Sequence, residues 1–359
     1  MPLIIEGRVP SHWADSGNSR AVVSIDHRRK LPAGLHLALI NNMPDPALED
    51  TELQFFELLD VASEATPVYL RLYSLTGVPR TDRGQRHLNS FYFEFDDLWK
   101  APLDGVIITG TEPRQPDLRN EPYWSLLAEV FDWASRNASS TILSCLAAHA
   151  SVLHFDGIPR HRLPDKQFGV FESAACGSAT NCDPPLLPDG LNVLCFPHSR
   201  WNEVKESELT AAGYNVLTSS PQAGVDVFTK RIRQSLFLHF QGHPEYSSET
   251  LFKEYRRDIK RFLRAERETY PTMPYGYFDR EATEALKTFQ AKALANRCQE
   301  VMHSFPESLA EGLQRTWHSS AVLIYRNWLQ YLSSEKARTS VFPAMTTACS
   351  GLREKRSAV

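Results

Sequence analysis

The chain has 359 residues, of which 42% are hydrophobic and 23% are charged, and its formal net charge is −4. A chain of this length can bury one large core, and its charge gives no electrostatic reason to expect nucleic acid as a partner. No apolar run approaches the ~20 residues that a membrane span needs. The first ten residues become polar too early for a signal peptide, so we expect a cytoplasmic protein with no membrane partner.

The six cysteines are scattered along the chain, and none belongs to a CxxC pair. They are Cys145, Cys176, Cys182, Cys195, Cys298 and Cys349. This spacing indicates neither a zinc ribbon nor a dithiol site, and we predict no metal and no bound cofactor. Reduced thiols are the expected state in the cytosol, and a disulfide between Cys176 and Cys182 is the less favoured alternative.

Apolar strands and amphipathic helices alternate after a polar N-terminal arm, residues 1–34, which we expect to be loosely ordered. Strands are predicted at residues 35–40, 68–73, 105–110 and 141–144, and helices at 49–59, 124–136 and 146–154. The apolar run at 105–110 ends in glycine and is typical of a strand covered on both faces. The alternation predicts an α/β fold, with a parallel sheet flanked by helices.

The second half of the chain adds further strands and then a helical region. Strands are predicted at 191–196, 214–218 and 235–240, helices at 248–267 and 280–295, and an aromatic-rich segment at 317–332. We assign the aromatic segment to the core before any partner surface. The sequence therefore predicts one α/β domain over residues 35–335, with helical C-terminal additions and a flexible tail at 336–359.

Cys145 lies at the predicted junction between the strand 141–144 and the helix that follows. Such a turn exposes the sulfur at the carboxyl edge of the sheet, where the sites of open α/β folds gather. The positive end of the helix favours the thiolate, and the backbone N–H of Leu146 can stabilise an oxyanion. The glycine-flanked elbow of many hydrolases is absent, and on this evidence alone an unreactive core cysteine is the favoured interpretation.

A histidine and a carboxylate follow the last predicted strand. Gly242 permits a turn and Pro244 stops the strand, so His243 and Glu245 fall on one short loop. A histidine needs a partner that fixes its tautomer, and a carboxylate two residues away can supply it. Because this loop and Cys145 both lie at strand ends, we predict that the three side chains form one catalytic group.

A series of short sequence blocks carries a family resemblance. They lie at residues 39–44, 50–55, 104–110, 123–124, 140–145, 157–159, 166–171, 197–200, 241–246, 274–278, 317 and 327–329. The Pro-His-Ser-Arg block at 197–200 and the His-Pro-Glu-Tyr block at 243–246 are specific in combination. Over roughly residues 35 to 332 the chain resembles the MetA-type homoserine O-acyltransferases, most of all the homoserine O-succinyltransferases. The resemblance implies a class I glutamine-amidotransferase-like fold and a homodimer.

The resemblance also implies a reaction, the O-succinylation of L-homoserine by succinyl-CoA in methionine biosynthesis. Cys145 would attack the acyl-CoA thioester and carry the acyl group, so that the kinetics are ping-pong. His243 would act as general base for the thiol and then for the substrate hydroxyl, and Glu245 would orient the histidine.

Three further residues match the family's substrate site. Arg257 would clamp the carboxylate of the amino acid, because a guanidinium matches a carboxylate bidentately. Lys166 and Ser199 match positions that line the same site. Without the resemblance, Arg257 would be interpreted as a solvated helix charge, and the other two as ordinary surface residues.

Two positions depart from the family pattern. Where the family often has a lysine shortly after its first Met-Pro, this chain has Asp45 after Met43 and Pro44. Arg114 lies where the family sets its acyl-donor preference, at which a glutamate goes with acetyl-CoA and a small residue with succinyl-CoA. A cation there would favour a donor with a free carboxylate, although Arg114 could instead face the CoA phosphates or solvent.

Three alternatives stay open at this level. A glutaminase or γ-glutamyl hydrolase on the same fold would also use a cysteine and a His–x–Glu pair. An inactive homologue could serve as a binding or regulatory protein, although the intact catalytic group speaks against it. Within the favoured class, acetyl-CoA could be the donor, or serine the acceptor.

Overall fold

The computed structural model describes residues 3–8, 32–176, 186–188 and 193–341. Its strands are β1 (Leu3–Ile5), β2 (Leu35–Ile40), β3 (Val68–Tyr73), β4 (Gly105–Ile108), β5 (Ser140–Ser144), β6 (His161–Ala175), β7 (Val193–Glu203), β8 (Asn215–Ser220), β9 (Gly224–Ile232) and β10 (Ser235–Phe240). Its α-helices are α1 (Asp45–Ser63), α2 (Asp82–Phe91), α3 (Trp124–Asn137), α4 (Leu146–Asp156), α5 (Glu206–Ala211), α6 (Thr250–Leu263), α7 (Arg280–Ala295) and α8 (His318–Val341).

The described strands form one sheet in the order β1-β3-β2-β4-β5-β10-β9-β8-β6-β7. Strands β1 to β5 and β10 are parallel neighbours, whereas β10, β9, β8, β6 and β7 pair in antiparallel fashion. Phe240 at the end of β10 is in register with Ser144 at the end of β5. The carboxyl ends of these two strands therefore bring the Cys145 turn and the His243 loop together.

Helices cover both faces of the parallel strands, which is why those strands are almost wholly apolar and buried. Helices α1 and α8 pack on one face, and α3 and α4 pack on the other. A third cluster joins α6 and α7 to β6 beside the site. The predicted parallel sheet flanked by helices, with helical C-terminal additions, is confirmed.

The aromatic segment at 317–332 belongs to the core, as predicted. Trp317 and Trp328 are fully buried, and the Trp328 indole nitrogen donates to Ser140 Oγ at 2.9 Å. Gly105 lies so close to this ring that an added β-carbon would stand 2.9 Å from it. Helix α8 therefore packs directly against strands β4 and β5.

The predicted domain boundaries need correction at both ends. Residues 3–5 of the expected loose arm form the buried edge strand β1, paired with β3, and residues 9–31 lie outside the described ranges. Helix α8 continues to Val341 instead of ending at residue 335, and the ammonium group of Lys336 donates to Asp104 Oδ2 at 2.7 Å. The rest of the predicted tail, 342–359, lies outside the described residues, as does Cys182 with its possible disulfide.

Two buried histidines are expected to make the fold sensitive to mild acid. Burial lowers the pKa of His149 and of His239 to about 3, against an ordinary value of 6.5. Between these values the unfolded chain binds protons that the folded chain does not, so stability falls as the pH falls from 6.5 towards 3. Each histidine should remove about 2 kcal/mol from the free energy of unfolding between pH 7 and pH 5.

Urea unfolding of His149→Gln at pH 7 and pH 5 tests this expectation. The glutamine side chain does not titrate, and it keeps a polar group near Gln241, whose side-chain oxygen lies 2.9 Å from His149 Nε2. The variant should lose less stability than the parent on acidification. The exposed His303 provides the control, because His303→Gln should follow the parent. Equal acid sensitivity in all three proteins would contradict the assignment.

Candidate active site

Cys145 occupies the sharp turn between β5 and α4. Its backbone has φ 50° and ψ −106°, a conformation that side-chain-bearing residues rarely adopt and that is strained. The N–H of Cys145 donates to the Phe240 carbonyl at 2.8 Å, which fixes the turn on the neighbouring strand β10. Cys145 is partly exposed at the N-terminus of α4, where the positive end of the helix dipole lies.

The predicted oxyanion donor, the Leu146 backbone N–H, lies in the first turn of α4, where amides have no partner within the helix. Gly110, just after β4, faces it at close range. A β-carbon on Gly110 would stand 3.0 Å from the Leu146 nitrogen and 2.8 Å from its β-carbon. Glycine at this position therefore leaves the space beside the amide free for a substrate carbonyl oxygen.

His243 and Glu245 lie together on the loop after β10, as predicted. The His243 N–H donates to the Pro197 carbonyl at 2.8 Å, which ties the loop to β7. Glu245 Oε1 lies 2.9 Å from His243 Nδ1 and also accepts from Ser144 Oγ at 3.0 Å. Ser144, the residue before the candidate nucleophile, therefore holds the carboxylate that contacts the histidine.

The electrostatics of His243 suit a general base that becomes a cation during the reaction. Burial alone would lower the pKa of His243, but Cys145 and Glu245 outweigh it and raise the pKa well above its ordinary value. Nε2 is buried and has no aligned hydrogen-bond partner among the described residues. This nitrogen is thus available for the thiol proton, and catalytic hydrogen bonds commonly align only when substrate is bound.

Glu254, on helix α6, links the catalytic loop to the predicted substrate residues and was missed by the sequence reasoning. Tyr246 stacks on the His243 ring at 4.2 Å between centroids, and its hydroxyl donates to Glu254 Oε1 at 2.9 Å. Ser199 Oγ donates to Glu254 Oε2, and Lys166 Nζ donates to the same oxygen at 3.1 Å. The predicted residues Lys166 and Ser199 therefore converge on one partly buried carboxylate.

This convergence gives Glu254 a charged state that suits a substrate site. Burial alone would raise its pKa, but Lys166 first, then Arg257, Ser199 and Tyr246, lower it below the ordinary value. The sequence shows Glu254 only as one acid in a charged helix, and its partners come from three other elements. No local pattern could have separated it from a solvated helix residue.

Arg257 is half exposed on the same face of α6. Its Nη2 lies 3.6 Å from Glu254 and its Nε 3.3 Å from Asp258. Burial alone would lower the pKa of Arg257, but Glu254 and Asp258 raise it. The charge of Glu112, on the loop after β4, raises it further. The guanidinium is therefore open to solvent on this face of α6, where an incoming carboxylate can reach it.

Arg114 is exposed, and among the described residues only its backbone makes a hydrogen bond. The N–H groups of Arg114 and Gln115 both donate to the buried Glu121 Oε1, at 2.5 and 2.6 Å. The second departure, Asp45, accepts from the Thr81 N–H at 2.7 Å and pairs with Arg80 at 3.2 Å. Asp45 therefore binds the residues just before α2 and does not provide the cation that the family often has there.

Within the described ranges, no group of three or more metal-ligating side chains could hold a metal ion, and no helix is both long and apolar enough to cross a membrane. The described fold and site define an α/β protein with a candidate Cys–His–Glu centre at the carboxyl edge of a parallel sheet.

The comparisons with known proteins identify the family. The family model described as homoserine O-succinyltransferase matches residues 20–339. A homoserine O-succinyltransferase from Rhodopseudomonas palustris is 44% identical over 84% of this chain and 89% of its own length, and one from Methylococcus capsulatus is 36% identical over 92% of each. The chain belongs to the homoserine O-succinyltransferase family, and the prediction of an acyltransferase is confirmed.

Similar solved structures include two glutamine amidotransferases. The one from Thermotoga maritima is 9% identical, with a TM-score of 0.44 over 84% of this chain and 99% of its own. The one from Methylobacillus flagellatus is 12% identical, with a TM-score of 0.45 over 83% of this chain and 94% of its own.

Replacing Arg257 with alanine should raise the KM for the amino-acid acceptor by about 10-fold or more, because a charge-assisted hydrogen bond to its carboxylate is lost. Acylation of Cys145 by the donor alone should keep its rate. Lys253, on the same helix and 53% exposed, provides the control, and Lys253→Ala should leave both quantities unchanged. An unchanged acceptor KM in Arg257→Ala would contradict the clamp.

Proposed function

We propose that this enzyme transfers a succinyl group from succinyl-CoA to the hydroxyl of L-homoserine, through a thioester on Cys145, as a step of methionine biosynthesis. The observation that carries the proposal is the position of the candidate Cys–His–Glu centre beside a second cluster, in which cations and a carboxylate complement the charges of an amino-acid zwitterion. In that cluster the ammonium of Lys166 and the guanidinium of Arg257 surround the carboxylate of Glu254. Membership of the homoserine O-succinyltransferase family supports the choice of donor and acceptor.

In the first half-reaction the Cys145 thiol gives its proton to His243, and the sulfur attacks the thioester carbonyl of the donor. The Leu146 N–H would stabilise the resulting oxyanion. The carbon–sulfur bond to CoA then breaks, and the departing CoA thiolate takes the proton from His243. Glu245 stabilises the imidazolium while it carries that proton.

In the second half-reaction His243 takes the proton of the homoserine hydroxyl, and the oxygen attacks the Cys145 thioester. The bond from the acyl carbon to Cys145 breaks, and the proton returns from His243 to the sulfur. Arg257 would hold the carboxylate of homoserine during this step. The products are O-succinylhomoserine and the free enzyme.

A matrix of succinyl-CoA and acetyl-CoA against homoserine and serine tests the proposal. The combination of succinyl-CoA with homoserine should have the highest kcat/KM, and intact mass should detect a succinyl adduct on Cys145 when the acceptor is omitted. A clear preference for acetyl-CoA or serine would overturn the donor or acceptor assignment. Glutaminase activity without acyl transfer would overturn the reaction class. The cytoplasmic homodimer stays a prediction of the family resemblance.

A further inference from the structure

A succinyl donor differs from a neutral acyl donor by one free carboxylate, which a selective enzyme must recognise. Once the succinyl group is on Cys145, that carboxylate lies roughly 5 Å from the thioester carbon by ordinary bond lengths. A cation near the sulfur with unused hydrogen-bond donors is the chemistry that fits it. The exposed side chain of Arg114 is one candidate on the loop after β4, but the structure contains another behind that loop.

Arg160 lies just after the end of helix α4, and its side chain approaches the loop after β4. Its Nη2 approaches the carbonyl oxygens of Gln115 and Pro116 at 3.4 and 3.3 Å, which are long contacts that leave most of its donors available. Its charge interacts with His149 in the first turn of α4 and with Cys145 itself. The guanidinium therefore lies against the loop after β4 and within electrostatic range of Cys145, and it is only partly exposed.

Tyr123 adds an independent indication of a ligand at this place. Its side chain is 3% exposed, and its hydroxyl has no hydrogen-bond partner among the described residues. Arg160 and Glu121 are the charges that act on this hydroxyl. A buried hydroxyl without a partner is costly, and a ligand carboxylate at Arg160 would accept its hydrogen bond.

The other cations near this edge of the sheet are already engaged. Arg200 also interacts with the charge of Cys145, but it is buried, and its donors reach His198 Nδ1 and the carbonyl oxygens of Asn202 and Ala223. Lys166 pairs with Glu254 in the acceptor cluster. Among these cations Arg160 combines proximity to the sulfur with donors to spare.

We propose that Arg160 binds the free carboxylate of the succinyl group, with Tyr123 as a second donor, and that this pair selects a carboxylate-bearing acyl group. The inference rests on the succinyl transfer proposed above and names the residues that would determine its donor specificity. A guanidinium gives two parallel hydrogen bonds to a carboxylate, which a lysine ammonium at the same place cannot reproduce.

The test compares succinyl-CoA with butyryl-CoA, which has the same four-carbon acyl chain without the carboxylate, and with acetyl-CoA. For Arg160→Gln the kcat/KM with succinyl-CoA should fall by about 10- to 100-fold at fixed homoserine, with no comparable fall for the neutral donors. Arg160→Lys should retain part of the preference, and Tyr123→Phe should lose a smaller part. The control Arg162→Gln, at an exposed arginine of β6, should keep the preference, and Arg114→Gln tests the rival candidate, which should keep it as well.

The neutral donors also report on folding, because an unfolded variant loses activity with every donor. An equal loss with all three donors, or an unchanged succinyl preference in Arg160→Gln, would overturn the inference while leaving the proposed reaction intact. Loss of the succinyl preference in Arg114→Gln, with the preference retained in Arg160→Gln, would assign the carboxylate to Arg114 and also overturn the inference. A parent enzyme that does not use succinyl-CoA at all would overturn both this inference and the proposed function.

Discussion

Replacing Cys145 with alanine is expected to lower the rate of acyl transfer by roughly 10⁴-fold or more, because no thioester can then form. Alanine keeps the β-carbon, so the strained turn at φ 50° and its hydrogen bond to Phe240 should persist. Thermal unfolding of the variant should therefore match that of the parent. The loss would then belong to the missing sulfur and not to the fold.

Steady-state transfer and the intact mass of the acylated protein check this result. Cys195 provides the matched control, since burial raises its pKa to about 11 and keeps it a protonated, unreactive thiol. Cys195→Ala should transfer acyl groups at the parent rate and take up one acyl group. If Cys145→Ala retained most of its activity, the ping-pong mechanism would be refuted.

The parallel half of the sheet could be predicted from sequence because its signal is local. Strands buried on both faces require continuous apolar runs, and residues 35–40 and 105–108 have them. Helix α3 follows the same logic, since it needs only one apolar face against that sheet, whereas α4 is buried all round in its first half. The order of elements along the chain then indicated the architecture.

Several of the elements that were missed lack such a local signal. Strand β6 begins with polar residues and contains Pro164, and its first half is partly exposed at the edge of the site. Helix α2 has almost no apolar residues and depends on the Thr81 side chain at its N-cap, which accepts from the Gly84 N–H. Strand β1 has three residues, too few for a periodicity, and gains its stability from pairing with β3.

The site divides in the same way. Cys145 and His243 could be located because each follows a recognisable strand, and parallel strands bring their carboxyl ends to one edge. Glu254 could not, since its role arises from Lys166, Ser199 and Tyr246 meeting it in space. A charged side chain comes to contact several distant residues only through long-range packing, which the residues around it in sequence do not record.

Asp226, like Glu254, could not be recognised from its neighbours in sequence. Its removal is the second change expected to have a large effect. This residue is fully buried on β9, and its Oδ1 accepts from the Gly242 N–H at 3.0 Å, next to the candidate base His243. Burial alone would raise the pKa of Asp226, but His198, the Gly242 amide and Arg200 lower it. Asp226 is therefore the negative charge that neutralises a buried cation behind the catalytic loop.

A chain of polar contacts explains how the Asp226 carboxylate acts both on the buried Arg200 and on the loop of His243. Arg200 Nε donates to His198 Nδ1 at 3.2 Å, which leaves the proton of the neutral imidazole on Nε2, 3.4 Å from Asp226 Oδ2. The space is tight, since a β-carbon on Gly242 would stand 3.0 Å from both Asp226 Oδ1 and His198 Nε2. Loss of the carboxylate would remove the largest of the negative charges that act on the buried Arg200, and would leave the Gly242 amide without this acceptor.

We expect Asp226→Ala to lower the free energy of unfolding by about 3–5 kcal/mol, the usual cost of leaving a buried charge unpaired. Asp226→Asn should cost less, because its amide oxygen can still accept from Gly242. Urea unfolding at pH 7 checks both, with the exposed Asp96→Ala as a control that should change stability by less than about 0.5 kcal/mol. A change below about 1 kcal/mol in Asp226→Ala would show that Arg200 finds water or another partner, and that the loop of His243 does not depend on this charge.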